Sequence, residues 1–317
     1  MSRSLPPAKL VSALLLSVLL AACGGGDNNQ PQQAAPPFQP TPAPAPEVGA
    51  PTATGNVATD TFNWFNFRRK QSGMPVLARN AVLDVAAQGH SNYEKQNQVI
   101  AHEQRAGNPG FTGATLADRL AAAGYVFTQT PAAFGEVLVA TGNPTGASAA
   151  EALLVAIYHR FVILEPRFKE AGMGAASVPD GYTYVTADFT ANGFGPALGP
   201  GTVVVYPFPG QQQVPTIFFS DNEEPDPVPN QNAVGYPVSV QAGLGTVLTV
   251  TSFTIQPHGA APLPVQLLSA ALDANTPATS AAVVPLGVLA AATTYDVQFV
   301  GSAGGQPVSR SWSFTTQ

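Results

Sequence analysis

The chain has 317 residues, with 13 Lys and Arg against 19 Asp and Glu, a formal net charge of −6, and only 10% charged residues. This mild acidity lacks the electrostatic footprint of a nucleic-acid binder, so DNA, RNA and anionic lipid surfaces are poor partners for the bulk of the protein. The single cysteine, Cys23, excludes an intramolecular disulfide.

In chain order, Arg3 and Lys9 precede an apolar run from Leu10 to Leu20 and the small residues Ala21-Ala22. Positive, apolar and small in that order is the layout of a secretory signal peptide, expected over residues 1–22. The run is shorter than the roughly 20 apolar residues that span a bilayer. Leu20-Ala21-Ala22-Cys23 resembles the bacterial lipobox, in which the cysteine becomes the lipidated first residue of the mature protein. That resemblance implies a membrane partner held through a lipid anchor at Cys23. Gly24, rather than Asp, after the cysteine resembles lipoproteins sent to the outer membrane or cell surface. Residues 23–56 continue as a Gly-, Gln-, Pro- and Ala-rich linker, with Pro40, Pro42, Pro44 and Pro46 favouring an extended, disordered tether.

From 57 to 195 the pattern is helical with short strands, an α+β domain. Thr59 or Asp60 is expected to cap a first helix through Phe62, Phe65 and Arg69, ending near Gly73. Asn80 caps a second, with Leu83, Ala86, Ala87, His90 and Tyr93 along one face. Thr115 starts a third, and a fourth is expected from Ser148 through Phe161 to a stop at Pro166. Short strands follow near Gly172 to Ala175 and Thr183 to Thr186. From 201 to 317 the texture becomes β-branched and aromatic. Strands are expected at Thr202 to Tyr206, Thr216 to Phe219, Pro237 to Val240, Thr246 to Ile255, Asp296 to Val300 and Ser309 to Thr315. Such spacing reads as an all-β sandwich. Leu289, Thr293-Thr294 and Tyr295 resemble the tyrosine corner of Ig-like sandwiches, and Ser311 to Thr316 resembles bacterial Ig-like surface modules. The acidic run Asp221 to Asp226 could gather oxygens round calcium, but its spacing matches no EF-hand and a solvated loop fits better.

There are four histidines. His258, between Pro257 and Gly259, reads as a loop residue, and His90 as a core or cavity-wall residue on the apolar face of its helix. His102 and His159 are better site candidates. His102-Glu103-Gln104-Arg105-Ala106 opens like a zincin helix but has Ala106 where a second histidine must stand. Gly146-Ala147-Ser148-Ala149-Ala150 lacks the closing glycine of a nucleophile elbow. Neither a phosphate loop nor a dinucleotide fingerprint is present in the first domain.

Several segments together do carry a resemblance. Asn66, Arg69, Gly73 and Leu77, then Ala86 to Ser91, Ala101-His102, and Phe134-Gly135-Glu136-Val137 follow one another at regular positions. His159-Arg160, Ile163 to Phe168 and Gly172-Met173-Gly174 complete the series. In order and spacing they resemble bacterial members of the CAP superfamily (the SCP or pathogenesis-related domain). The resemblance implies an α-β-α sandwich and a cleft where two histidines and two glutamates can hold a divalent cation. Carried over, the cleft residues are His102, Glu136 and His159, and two imidazoles with a carboxylate suit zinc. The second family glutamate falls near Ala156, which has no ligand atom. Glu151, eight residues before His159 on the expected helix, would sit about 80° round it. A hydrogen-bonded polar cluster without metal is the competing reading.

These features favour a cell-envelope lipoprotein that displays a cleft for a small or envelope-polymer ligand, lipid included, rather than an enzyme. A zinc-dependent hydrolase using His102, Glu136 and His159 is the first alternative. A structural or adhesion protein with a vestigial cleft is the second.

Overall fold

The computed structural model describes residues 47–317 except 180, 196, 197 and 200, together with the backbone of Val18–Ala21 and Gln33–Ala34. Cys23 and the remainder of the expected signal peptide and linker lie outside the described residues. Helix α1 spans Val57–Gln71 and is capped by Asn56, whose side chain accepts the Thr59 N–H, so neither Thr59 nor Asp60 is the cap. Asp60 instead accepts the N–H groups of Thr54 and Gly55 and fixes the chain entering the helix. Asn80 caps α2 (Ala81–Asn97) as expected, and Thr115 caps α3 (Leu116–Ala122) in a reciprocal capping box with Asp118.

The fourth expected helix is two helices. Helix α4 (Gly146–Val155) and α5 (Ile157–Ile163) meet at Ala156, whose extended backbone bends the pair by 112°. The apolar period runs through the break, so side-chain spacing alone shows one helix; the backbone turn is set by what α5 packs against. Position counts along one continuous helix therefore fail here. Glu151 accepts from Trp64 Nε1 at 2.6 Å and Arg68 Nε at 2.7 Å, both on α1, and so is turned towards α1.

Strands β1 (Val18–Ala21), β3 (Ala78–Arg79), β5 (Ala133–Thr141), β6 (Glu170–Ser177) and β7 (Thr183–Ala191) form a sheet in the order β1-β5-β7-β6-β3. The three long strands are antiparallel, β1 and β3 lie parallel to their neighbours, and β2 (Gln33–Ala34) pairs separately with β4 (Val99–Ile100). Alternation along β7 separates two faces: Val185, Ala187 and Phe189 join the core of α1, α4 and α5, while Thr186, Asp188 and Thr190 point the opposite way. On that second face Leu83, Ala86, Leu116, Leu120 and Phe134 form a smaller apolar cluster under α2 and α3. The result is the expected α-β-α arrangement. Gly172 and Gly174 are where α2 lies directly on β6: a Cβ at Gly172 would come within 2.1 Å of the Leu83 carbonyl carbon, and one at Gly174 within 2.3 Å of the Ala87 oxygen.

Two of the opening sequence positions are joints as well. Asn66 holds Leu77 from both sides, accepting its N–H at 2.7 Å and donating to its carbonyl at 3.0 Å. Arg69, fully buried, donates to the carbonyls of Pro75, Ile163, Glu165 and Phe168 and so ties α1 to the end of α5.

The C-terminal region consists of antiparallel sheets, consistent with a β-sandwich. One holds β13 (Val265–Ser269), β14 (Ser280–Pro285), β11 (Val238–Gln241) and β8 (Val204–Tyr206); another holds β12 (Leu248–Pro257), β15 (Thr294–Ala303) and β16 (Gln306–Thr315). A short pair, β9 (Ile217–Phe219) with β10 (Ala233–Gly235), carries the loop between them. Tyr295, Val297 and Phe299 face inward against Trp312 and Phe314. The Tyr295 hydroxyl accepts the Ala290 N–H at 2.8 Å, a tie of the kind a tyrosine corner makes. Strands β10, β13 and β14 were not expected: the Ala-rich Ser280–Pro285 and the proline-flanked Val265–Ser269 carry weak strand signals but are held by paired neighbours.

Candidate functional site

The loop from Ala101 to Thr115 carries His102 and is pinned to α2. Gln104 Nε2 donates to His90 Nδ1 at 2.9 Å, Gln104 Oε1 accepts the Thr112 N–H at 2.7 Å, and the Tyr93 hydroxyl accepts the Arg105 N–H at 2.9 Å. His90 Nε2 lies 2.8 Å from the Ala101 carbonyl, which accepts its proton. Both ring nitrogens of His90 are thus used in holding the loop. Burial, with Arg119 and His102 nearby, lowers its pKa to about 3, so it is a neutral core histidine, as its apolar face predicts.

On the sheet beneath, His102 Nδ1 donates to Glu136 Oε1 at 2.8 Å. Arg119 from α3 grips the same carboxylate, its Nη2 lying 2.7 Å from Oε1 and 2.6 Å from Oε2, while its Nη1 donates to the His102 carbonyl at 2.8 Å. The pair is dry: Arg119 and Glu136 are almost completely buried, whereas the His102 side chain is 15% exposed at the rim. Burial would raise the Glu136 pKa, but the Arg119 guanidinium overrides it and holds the carboxyl well below the usual range. Asp188, directly across from Glu136 on β7, and Glu94 on α2 are both buried and are pushed well above the usual range, by burial first and then by the ionised Glu136. One guanidinium balances one carboxylate, and burial disfavours the ionised form of the two further carboxyls.

Arg119, Glu94, Asp188 and Gln104 were not among the expected site residues. A signal for two of them was present. Arg119 falls on the stripe Leu116, Leu120, Ala123, and Glu94 lies four residues after His90 on the buried face of α2; a charge at an inward helical position needs a partner.

His159 lies elsewhere. Its Nδ1 donates to Glu223 Oε1 at 3.0 Å, and that glutamate comes from the loop between β9 and β10. The three expected ligands are therefore not brought together, because the end of α5 that carries His159 faces the C-terminal region. Nor do the remaining groups fit a divalent cation. Both Glu136 oxygens are taken by Arg119, whose guanidinium supplies the positive charge, and both His90 nitrogens are engaged. Among the described residues no group of three or more His, Cys, Asp or Glu is placed to hold a metal ion. His258 is exposed and pairs with Asp296 at 2.8 Å, in keeping with a loop position.

A family model described as CAP, the cysteine-rich secretory protein family, matches residues 62–189. Among solved structures, an extracellular protein containing a SCP domain from Bacillus anthracis is 28% identical, with a TM-score of 0.34, over 42% of this chain and 39% of that one. An outer surface protein from Borrelia burgdorferi is 16% identical, also with a TM-score of 0.34, over 41% of this chain and 87% of that one. The chain thus spans about two fifths of the length of the Bacillus protein. No curated protein matches the chain. Residues 62–189, which hold the Asn66-Arg69 joint, the His102–Glu136–Arg119 group and the Gly172-Met173-Gly174 strand, are a CAP domain of the cysteine-rich secretory protein family.

Proposed function

We propose that this protein is a secreted, surface-held lipoprotein whose CAP domain presents a small or polymeric ligand with a cleft at the rim residue His102, an Ig-like sandwich completing the displayed unit. The observation that carries the reading is the state of Glu136. A buried carboxylate neutralised by Arg119, whose Nη2 bridges both of its oxygens, and hydrogen-bonded to His102 is a weak base and acts as an orienting group. Such an arrangement suits holding His102 at the rim for recognition. The signal-like N-terminus and Cys23 support anchoring at the outer membrane or cell surface, and the extracellular and outer-surface character of the two structural relatives accords with it. Lipid is one ligand class to test, envelope glycan another. The zinc hydrolase built on His102, Glu136 and His159 is not favoured, since His159 is engaged by Glu223.

The test is a thermal-shift and pull-down panel of lipids, glycans and envelope fractions on the full chain and its His102→Ala variant. A ligand that raises the melting temperature of the full chain at least twice as much as that of His102→Ala supports the cleft. A panel without any shift, together with no capture from envelope fractions, sinks it. Detergent-phase partitioning of the full chain, lost in Cys23→Ser, is the expected sign of the anchor.

A further inference from the structure

The stretch from Tyr158 to Arg167 is the docking surface for the C-terminal region. The Tyr158 hydroxyl donates to Asp273 Oδ2 at 3.0 Å. Arg160 donates to the Pro237 carbonyl at 2.6 Å while its guanidinium lies 4.9 Å from the ring centres of both Tyr206 and Tyr236. Gln241 Nε2 donates to the Phe161 carbonyl at 2.8 Å, and the Leu244 N–H to Glu165 Oε1 at 3.0 Å. These contacts come from four separate places in the C-terminal region, so the stretch is read along its whole length rather than touched at one point.

Glu223 does the most at this surface. It is 1% exposed, and its loop is fastened at the stem, where the Ser220 N–H donates to the Asn232 carbonyl at 2.9 Å and Ser220 Oγ to the Gln231 carbonyl at 2.9 Å. Its carboxylate accepts the N–H groups of Ile157 and Tyr158, each at 2.7 Å, and of His159 at 3.2 Å, in addition to His159 Nδ1. Helix α5 has no side-chain cap of its own, since Ala156 has no acceptor. The cap arrives from more than 60 residues along the chain, as the sequence separations of 64 to 66 show.

We propose that Glu223 is a positioning residue of the CAP domain, supplied by the C-terminal region, that fixes His159 as the tautomer protonated on Nδ1 with Nε2 as the acceptor nitrogen. The physical ground is that a carboxylate oxygen only accepts, so the proton shared with His159 sits on Nδ1. The same carboxylate holds the first turn of α5 and, with it, the direction of the imidazole. This goes beyond the ligand-presenting reading, which concerns the His102 rim: the C-terminal region supplies the cap and the tautomer-setting acceptor of α5, away from that cleft.

The test is nitrogen NMR of 15N-histidine in the full chain at pH 8, with backbone exchange at 157–159. In the unaltered chain, His159 shows a protonated Nδ1 and an unprotonated Nε2, and the three amides are protected. Glu223→Gln, which keeps an acceptor oxygen, retains the Nδ1–H form. Glu223→Ala shifts His159 towards the Nε2–H form and speeds exchange at the three amides at least tenfold, while amides on β15 and β16 exchange unchanged, which shows that the variant is folded. An Nε2–H or doubly protonated His159 in the unaltered chain overturns the proposal, as does an unchanged tautomer in Glu223→Ala. None of these readouts involves a ligand, so a negative ligand panel leaves the assignment standing, and a negative tautomer result leaves the His102 cleft standing.

Discussion

Arg119 is the residue on which the buried polar group depends. It neutralises Glu136 in a dry site and also holds the His102 carbonyl, so one side chain sets both the charge and the loop position. Replacing it with Met leaves an ionised carboxylate with only His102 for company, and the expected loss is about 3–5 kcal/mol in urea unfolding. Adding Glu136→Gln to Arg119→Met should restore a large part of that, since it removes the orphaned charge. A double variant no more stable than Arg119→Met alone would mean that packing, rather than charge, explains the loss. How much of this was legible is uneven. His102 and Glu136 were reached through a family pattern and do meet at 2.8 Å. Their shared cation was not reached, although its place on an apolar helical stripe announced a buried charge. The pairing of His159 with Glu223 was not legible, because nothing local links a helix start with an acidic loop 64 residues later.

At the scale of elements, the two glycines of Gly172-Met173-Gly174 exist because α2 lies with its backbone on β6. The nearest atoms to an added Cβ at Gly174 are the Ala87 oxygen at 2.3 Å, the Ala87 carbonyl carbon at 2.4 Å and the Gln88 nitrogen at 2.4 Å, all backbone, so no side-chain rotation can make room. Gly174→Ala must lift the helix, and with it His90 and Glu94; a cost of about 3 kcal/mol or more is expected, near or above the upper range for overpacking. Equilibrium unfolding measures the loss, and a change under 1 kcal/mol would show that α2 can slide on the sheet at little cost. Helices with side-chain caps were placed well from sequence, Asn80 and Thr115 being read correctly. The bend at Ala156 was missed for a matching reason. Neither a proline nor a glycine marks it, and the group that caps α5 belongs to another part of the chain.

For the molecule as a whole, the joint between its two parts carries a titrating group. Glu165 is buried where α5 ends, accepting from Leu244 and Arg167 N–H groups and from Gln241. Burial outweighs those donors and raises its pKa from 4.5 to about 7. A carboxyl that binds its proton more tightly in the folded protein contributes stability in full below pH 4.5, and loses it as pH rises through about 7. The expected size is roughly 3 kcal/mol. His90, lowered to about 3, runs the other way: its contribution is present above about pH 6.5 and is lost as pH falls towards 3. Because the two slopes oppose each other near pH 5–6.5, the informative quantity is the difference between the unaltered chain and Glu165→Gln. Relative to the unaltered chain, Glu165→Gln should gain stability between pH 4.5 and 7 and then level off. A flat difference across that interval would place the ionised Glu165 comfortably in the fold. The joint also limits how portable the CAP domain is. Cut out and fused to an unrelated partner, it would keep the His102–Glu136–Arg119 group, all of whose members it owns. It would arrive with the first turn of α5 uncapped, Arg160 without its two tyrosines, and Glu165 without Leu244 and Gln241. A graft of this domain therefore has to bring a carboxylate for α5 with it.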